Sequence, residues 1–296
     1  MGRKKGFKLA LRYYRIFSMS QTKYYVLDHH SIWGWKKTED KLEDAQIVFV
    51  WNDFTIEEDV KRWQNQGKKV VCFEHGWNAF FDYEYNKRKM IADGYMSLGY
   101  STSKSLISYS LDNNKLLVSG NPNFDSLIHE SSSSKNDIPK VLYTALHWTR
   151  DMKDYNNSKL NEIITVLSPF TDIAVKTIEK SKIYIPDSVT EWRSEINNNM
   201  NLFAEINEGL KEYDIILTPK ESTFDFIAIK MGKKVFRIGR QEEYWEEGDP
   251  KTRNILEFSN ISTDLLYSNT KPMVDLNQEI NQSLKIDEII KWAIKL

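Results

Sequence analysis

The sequence predicts an α/β protein made of two doubly wound parallel sheets, each in its own domain, facing a cleft. Three observations predict it. Short apolar runs alternate with helical stretches along the chain. Several of those runs are apolar throughout rather than alternating, which marks strands buried on both faces. The series then restarts after Glu130 to Asn136 (ESSSSKN), the best linker in the chain. A length of 296 residues suits two domains or one large α/β domain.

In the first series, Lys23 to Asp28 (KYYVLD) is a short aromatic and β-branched strand. Ala45 to Trp51 (AQIVFVW) is a buried strand, followed by Asn52 and Asp53. Ile56 to Gln66 is helical and closed by Gly67. Lys69 to Phe73 (KVVCF) is the next buried strand, with Glu74, His75 and Gly76 directly behind it. Tyr95 to Leu98 is a short strand, and Ser101 to Leu111 a helix with Thr102 or Ser103 as cap. Leu116 to Val118 is a strand that runs into Gly120-Asn121-Pro122.

In the second series, Lys140 to Thr144 (KVLYT) is a strand, Lys159 to Leu167 a helix and Asp172 to Thr177 (DIAVKT) a strand. Met200 to Tyr213 is an amphipathic helix with Leu202, Phe203, Ile206 and Leu210 on one face. Asp214 to Thr218 (DIILT) is a strand, Phe224 to Met231 a helix ending at Gly232, and Lys234 to Ile238 (KVFRI) a strand. Ile286 to Leu296 is a terminal amphipathic helix. The expected domains are residues 1–125 and 126–285, with helix 286–296 packing back on the first.

Composition narrows the function. The chain is 41% hydrophobic, 28% charged and 13% aromatic, which excludes a disordered protein. Forty-one basic against 42 acidic residues leave a net charge of −1, so whole-chain charge points to neither nucleic acid nor membrane. The single cysteine, Cys72, excludes an intramolecular disulfide and a Cys-cluster zinc site. No run approaches the roughly 18 apolar residues of a membrane span. Met1 to Phe17 has neither a continuous apolar core nor a small-residue cleavage site, so a cytoplasmic protein is expected. Arg3, Lys4, Lys5, Lys8, Arg12 and Arg15 stand there with no acid among them, interleaved with Phe7, Leu9 and Leu11. Two readings stay open: a basic anchor touching nucleic acid or the inner face of a membrane, or a solvated lead into the first element.

The common fingerprints are missing: no GxxxxGK[ST], no GxGxxG behind a strand, no HExxH and no GxSxG. His29 and His30 are adjacent and point in different directions on regular structure, so no metal site is expected there. Glu242, Glu243, Glu246, Glu247 and Asp249 read as a solvated loop face.

Three segments suggest chemistry. Phe73-Glu74-His75-Gly76-Trp77 puts an imidazole at the carboxyl edge of a buried strand, where ligands of open α/β sheets bind. His75 there suits a general base toward a hydroxyl, with Glu74 to orient it and Gly76 to permit a tight turn or close approach. Ser119 to Asp125 (SGNPNFD) is a turn that reads first as an inter-domain hinge. Asp214 to Gly239 runs strand, Ser222-Thr223, helix, strand; hydroxyls and N–H groups at a helix start hold phosphate, and Lys220 adds charge. Plain helix capping asks for the same residues, so both readings stand for Ser222 and Thr223.

The order of these segments resembles the GT-B transferases of cell-surface polymer synthesis. The nearest resemblance is to CDP-glycerol glycerophosphotransferases and capsule-type glycosyltransferases, and UDP-N-acetylglucosamine 2-epimerases have a similar layout. It covers roughly residues 68–240. It implies two Rossmann-like domains, metal-independent chemistry, no tightly bound cofactor and a nucleotide-diphosphate donor as co-substrate. It implies His75 as the base, with Glu74 beside it, and Gly120, Asn121, Pro122 and Asp125 in the segment that enters the second domain. Ser222-Thr223 would hold the donor pyrophosphate, with Lys220, Glu221 and Asn121 as further donor contacts. Many relatives carry Lys-x-His-Pro after the second strand of the donor domain; here Lys176 stands without the His or the Pro. His147 and Arg150, behind that domain's first strand, are the candidates to substitute in space.

The expected activity is transfer of a sugar or polyol phosphate to a carbohydrate or polyol hydroxyl, in surface polysaccharide or glycoconjugate synthesis. A 2-epimerase, a DNA-modifying sugar transferase and a non-catalytic nucleotide- or glycan-binding module are the other readings of the same segments.

Overall fold

The computed structural model describes residues 22–27, 33–35, 39–74, 76, 80, 83, 87–125, 127, 138–145, 152–178, 183–194, 202–219, 222–238, 256–258, 261–267 and 283–296. The chain divides into two compact units. One takes Met1–His75, Ala79–Asp125 and Asn281–Leu296; the other takes Gly76–Asn78 and Ser126–Ile280.

In chain order the elements begin with β1 (Tyr24–Val26), β2 (Ile47–Val50), α1 (Glu57–Asn65), β3 (Lys69–Phe73), β4 (Gly94–Ser97), α2 (Tyr100–Ser108), β5 (Leu116–Val118) and the single turn α3 (Pro122–Asp125). The second unit follows with β6 (Val141–Thr144), α4 (Met152–Leu167), β7 (Ile173–Ile178), β8 (Thr190–Ser194), α5 (Leu202–Leu210) and β9 (Ile215–Thr218). It continues with α6 (Thr223–Lys230), β10 (Lys234–Ile238), β11 (Leu256–Phe258) and α7 (Asp264–Tyr267). The last helix, α8 (Ile286–Ala293), belongs to the first unit.

The first sheet has five parallel strands in the order β1-β2-β3-β4-β5. β2 (IVFV) and β3 from Val70 onward are buried at every position, as strands covered on both faces must be. Successive side chains go to opposite faces. Val48, Val50, Val70 and Cys72 pack with Val60 and Trp63 of α1 and Leu106 of α2. Ile47, Phe49, Val71 and Phe73 pack instead with Trp33, Trp35 and Ile289, Ile290 and Ala293 of α8. The chain end lies directly on β4: a Cβ at Gly94 would stand 2.5 Å from Leu296 Cδ1.

α1 is held by burial of Val60 and Trp63, and its exposed charges add a little. Glu57, Glu58 and Asp59 fill the first turn, where the helix dipole favours acids, and Lys61 pairs with Glu57 at 2.5 Å. Cys72 is fully buried, and burial pushes its thiol pKa well up, which makes it a packing residue rather than a nucleophile.

The second sheet has six parallel strands in the order β11-β10-β9-β6-β7-β8. The order reverses between β6 and β9. Right-handed crossovers therefore put α4 on one face and α6 on the other. Leu160, Ile163 and Leu167 of α4 pack on Val141, Tyr143, Val175 and Leu217. α6 lies against β9 and β10, beside α5.

Some elements differ from expectation. α4 starts at Met152 rather than Lys159, because the buried Asn156 accepts the Tyr143 hydroxyl at 3.2 Å and its turn belongs to the packed helix. β8, β11 and α7 have too few consecutive apolar residues to be read from pattern. Among the described residues no helix is long and apolar enough to cross a membrane, and no group of three or more His, Cys, Asp or Glu could hold a metal ion.

Candidate functional site

The reversal between β6 and β9 is the place where an open parallel sheet forms a crevice beyond its strand ends. β9 ends there at Thr218, and α6 starts at Thr223 with the extended Ser222 as its N-cap. Asp225, in the first turn of α6, reaches back over that start. Its Oδ2 accepts the Ser222 N–H at 2.8 Å, the Ser222 hydroxyl at 2.8 Å and the Thr218 hydroxyl at 3.2 Å. The helix ladder begins with Asp225 and Phe226, whose N–H groups both donate to the Ser222 carbonyl at 3.0 and 3.3 Å. The Thr223 and Phe224 amides stand ahead of that ladder, at the positive end of the helix.

Asp225 is 0% exposed, and among the described residues its Oδ1 has no hydrogen-bond partner. Burial pushes its pKa up to about 7, against the Ser222 and Thr218 hydrogen bonds and the Lys176 charge, which favour the ionised form.

Lys176 comes from β7, in register between Thr144 of β6 and Trp192 of β8. Its ammonium lies 4.9 Å from the centre of the Phe224 ring and 5.8 Å from that of Trp192. That is cation–π distance. Among the described residues no carboxylate oxygen lies within 4.0 Å of it. Burial lowers its pKa, and the charges of Asp225 and Glu205 oppose that shift. Trp192 in turn stacks on Tyr213, with ring centres 6.0 Å apart and planes 11° apart, and meets Phe224 at 5.7 Å. Gly209 of α5 makes room for it: a Cβ there would collide with the Trp192 ring. Glu205, also on α5, has a buried Oε2 with no hydrogen-bond partner among the described residues.

The second unit thus brings together Lys176, Ser222 and Thr223 of the expected donor contacts. Gly76 is grouped with that unit, and a Cβ on it would stand 2.6 Å from Thr223 Oγ1. The Ser222 hydroxyl donates to Asp225 Oδ2 within the capping box that opens α6. A cation seated on aromatic rings beside a helix N-terminus is suited to an anionic group.

The first unit holds Glu74, Gly120, Asn121, Pro122 and Asp125. Glu74 is 1% exposed and its Oε2 accepts the Leu98 N–H at 2.8 Å, so its carboxylate holds the turn behind β4. Gly120 has φ +65°, the left-handed region that glycine enters without strain. Asn121 is buried, and its Oδ1 accepts the Asn123 N–H at 2.9 Å. Pro122 opens α3, and Asp125 accepts the Ser283 N–H and hydroxyl. The segment before α8 is held from the same side: Leu284 donates to the Ser119 carbonyl at 2.9 Å and accepts the Trp35 indole N–H at 2.8 Å.

His75, Lys220, Glu221, His147 and Arg150 lie outside the described residues. So do His29, His30, the acidic cluster from Glu242 to Asp249 and the basic residues 1–17.

Four residues of the site escape a reading of the sequence. Asp225 carries a signal, an acid three positions after Ser222, which is the capping-box spacing. Phe224 lies in a segment already singled out but offers only an aromatic side chain. Trp192 and Glu205 sit on elements whose neighbours are set by the sheet order, and nothing local marks them.

No protein-family model matches the chain. Among solved structures it is similar to the UDP-N-acetylglucosamine 2-epimerase of Neisseria meningitidis bound to UDP-GlcNAc. That match has 15% identity and TM-score 0.41, covering 66% of this chain and 60% of that one. It is similar to a glycosyltransferase from Rickettsia africae (12% identity, TM-score 0.41, 86% and 73%). It is also similar to HepE of Anabaena in complex with UDP and glucose (10% identity, TM-score 0.42, 85% and 69%). The match thus spans less than two thirds of the Neisseria epimerase.

Proposed function

We propose that the protein is a GT-B-type transferase that moves a sugar or polyol phosphate from a nucleotide-diphosphate donor to an acceptor hydroxyl, in surface polysaccharide or glycoconjugate synthesis. The observation that carries the reading is the seat of Lys176. An ammonium on the Phe224 and Trp192 rings, with no carboxylate within 4.0 Å among the described residues, stands beside the start of α6 at the sheet's reversal. In this reading Lys176 and the first amides of α6 hold the diphosphate. They take up the charge that grows on it as the bond to the transferred group breaks. His75, at the carboxyl end of β3, takes the proton from the acceptor hydroxyl, whose oxygen forms the new bond. The His75 role rests on its sequence position and on the motif resemblance.

The test is a thermal-shift screen of the full chain against UDP, CDP, GDP, ADP and TDP, with and without Mg²⁺. A ligand that binds only the folded state raises the melting temperature. One nucleotide is expected to stand out, and Lys176→Met is expected to weaken it by about 10- to 100-fold, the worth of a charge-assisted contact. No shift with any nucleotide at millimolar concentration overturns the reading.

The buried carboxylates Asp225 and Glu205 favour one second reading, a nucleotide-sugar 2-epimerase, since that reaction needs acids near the sugar. NMR of the protein with nucleotide sugar and no acceptor separates the two: an epimerase changes the sugar, a transferase waits for the acceptor.

A further inference from the structure

The inference rests on the donor-site reading and concerns how that site manages its charge. Asp225 is a carboxyl group at a place that should attract anions. All three donors it receives fall on Oδ2, while Oδ1 is buried without a partner among the described residues. Among the described residues no cation lies within 4.0 Å of it, and Lys176, whose charge reaches it, leans on the Phe224 ring. A buried carboxylate without a close counter-ion favours its neutral form. In the neutral acid the proton belongs on Oδ1, because Oδ2 is already an acceptor for Ser222 and Thr218. Charged groups come from the elements around the cluster: Lys176 from β7, Glu205 from α5 and Arg237 from β10, the last in register with the uncharged Thr218 of β9. An anionic ligand seated at the start of α6 adds negative charge close to Asp225 and stabilises the protonated form further.

We propose that a diphosphate binds this site together with one proton, held on Asp225 Oδ1. Asp225 is then a positioning residue that silences its own charge to admit the anion, and donor binding is a pH-dependent step. The free carboxyl titrates at about 7, so the linkage falls near neutrality.

The experiment is calorimetric titration of the full chain with UDP-glucose and with CDP-glycerol, whose diphosphate diesters do not ionise between pH 6 and 8.5. Wild type is expected to lose affinity as pH rises through that range, by at most about tenfold per pH unit. Titrations in buffers of different ionisation enthalpy are expected to show uptake of up to one proton. Asp225→Asn keeps an acceptor oxygen and places N–H donors where the acid would carry its proton. It is expected to bind at pH 6 like wild type, to bind more tightly than wild type at pH 8.5, and to flatten the profile. A wild-type profile parallel to that of Asp225→Asn, or binding without proton uptake in wild type alone, overturns the proposal while leaving the donor site standing. Where the thermal screen singles out another nucleotide, its glucose diphosphate diester replaces these probes; no binding at any pH, with no thermal shift from any of the five nucleotides, removes the donor-site reading and this inference with it.

Discussion

The two sheets obey the same physics and wind differently. The first runs β1 to β5 in consecutive order, and the second reverses between β6 and β9. Consecutive right-handed crossovers keep α1 and α2 on one face, so the other face must be covered by something that is not a crossover. Here that is α8, from the far end of the chain, with Trp33 and Trp35. The reversed sheet covers both faces with its own crossovers, and Lys176, Thr218 and Asp225 come together beyond its carboxyl ends near the reversal. A singly wound sheet borrows its second layer; a doubly wound one builds it from its own crossovers. The sharpest way to break that contrast is Ile289→Asp. Ile289 is 0% exposed in the first core, and a charge there removes the borrowed layer. The expected loss is about 5 kcal/mol or more from the first unit. Hydrogen exchange should show protection collapsing in β2 and β3 and persisting in β6 and β9. Equal loss in both sheets would contradict the separation.

The units also differ in how they bury a carboxylate. Asp53 and Asp225 are both 0% exposed, and both follow the carboxyl end of a strand. Asp53 is loaded on both oxygens, by the Tyr83 hydroxyl on one and by the Tyr95 hydroxyl and the Ile91 and Ala92 N–H groups on the other. Burial, with the Asp53 charge adding to it, pushes both tyrosine pKa values well up and keeps them donors. Asp225 has one loaded oxygen and one without a partner among the described residues. The first arrangement pins the segment before β4; the second leaves room for a proton. The consequence for stability has a definite sign. Asp225 moves from 3.8 to about 7 on folding, so between those values the native state holds more protons than the unfolded one. The stabilisation is complete below about pH 4 and is lost as pH rises through 7, by about 4 kcal/mol in total. Urea unfolding of wild type and Asp225→Asn at pH 4 and pH 8 isolates it: the asparagine variant should gain on wild type by up to that amount. A difference that does not change with pH would contradict the sign.

Much of this was legible in the sequence, for a physical reason. Central parallel strands are buried on both faces, so AQIVFVW, KVVCF, KVLYT, DIILT and KVFRI announce themselves. Helix stops at Gly67 and Gly232 are equally plain, each with positive φ. The edge strand β8 (TEWRS) carries one apolar residue, Trp192, between Glu191 and Arg193, so no strand pattern marks it. Strand order is not written locally at all: both series read as strand–helix–strand, and nothing in either marks one as consecutive and the other as reversed. Lys176 and Ser222-Thr223 were found as residue types in suggestive places. Phe224 and Trp192 beside Lys176, and the half-satisfied Asp225, come together only once β7 and β9 lie on either side of β6.

The smallest test sharpens the borrowed-layer idea without destroying it. If α8 is held as a layer, its entry segment needs an anchor, and Trp35 supplies one through its Nε1–H to the Leu284 carbonyl at 2.8 Å. Trp35→Phe keeps an aromatic ring in the core with Trp33 but removes that donor. The loss expected is about 1 kcal/mol, the worth of one hydrogen bond. It should appear as faster exchange of amides in α8 and β1, with the second sheet unchanged. A variant as protected as wild type throughout α8 would mean that the apolar contacts of Ile289, Ile290 and Ala293 hold the helix by themselves. The link from Leu284 to Ser119 and Trp35 would then only trim the path of the chain.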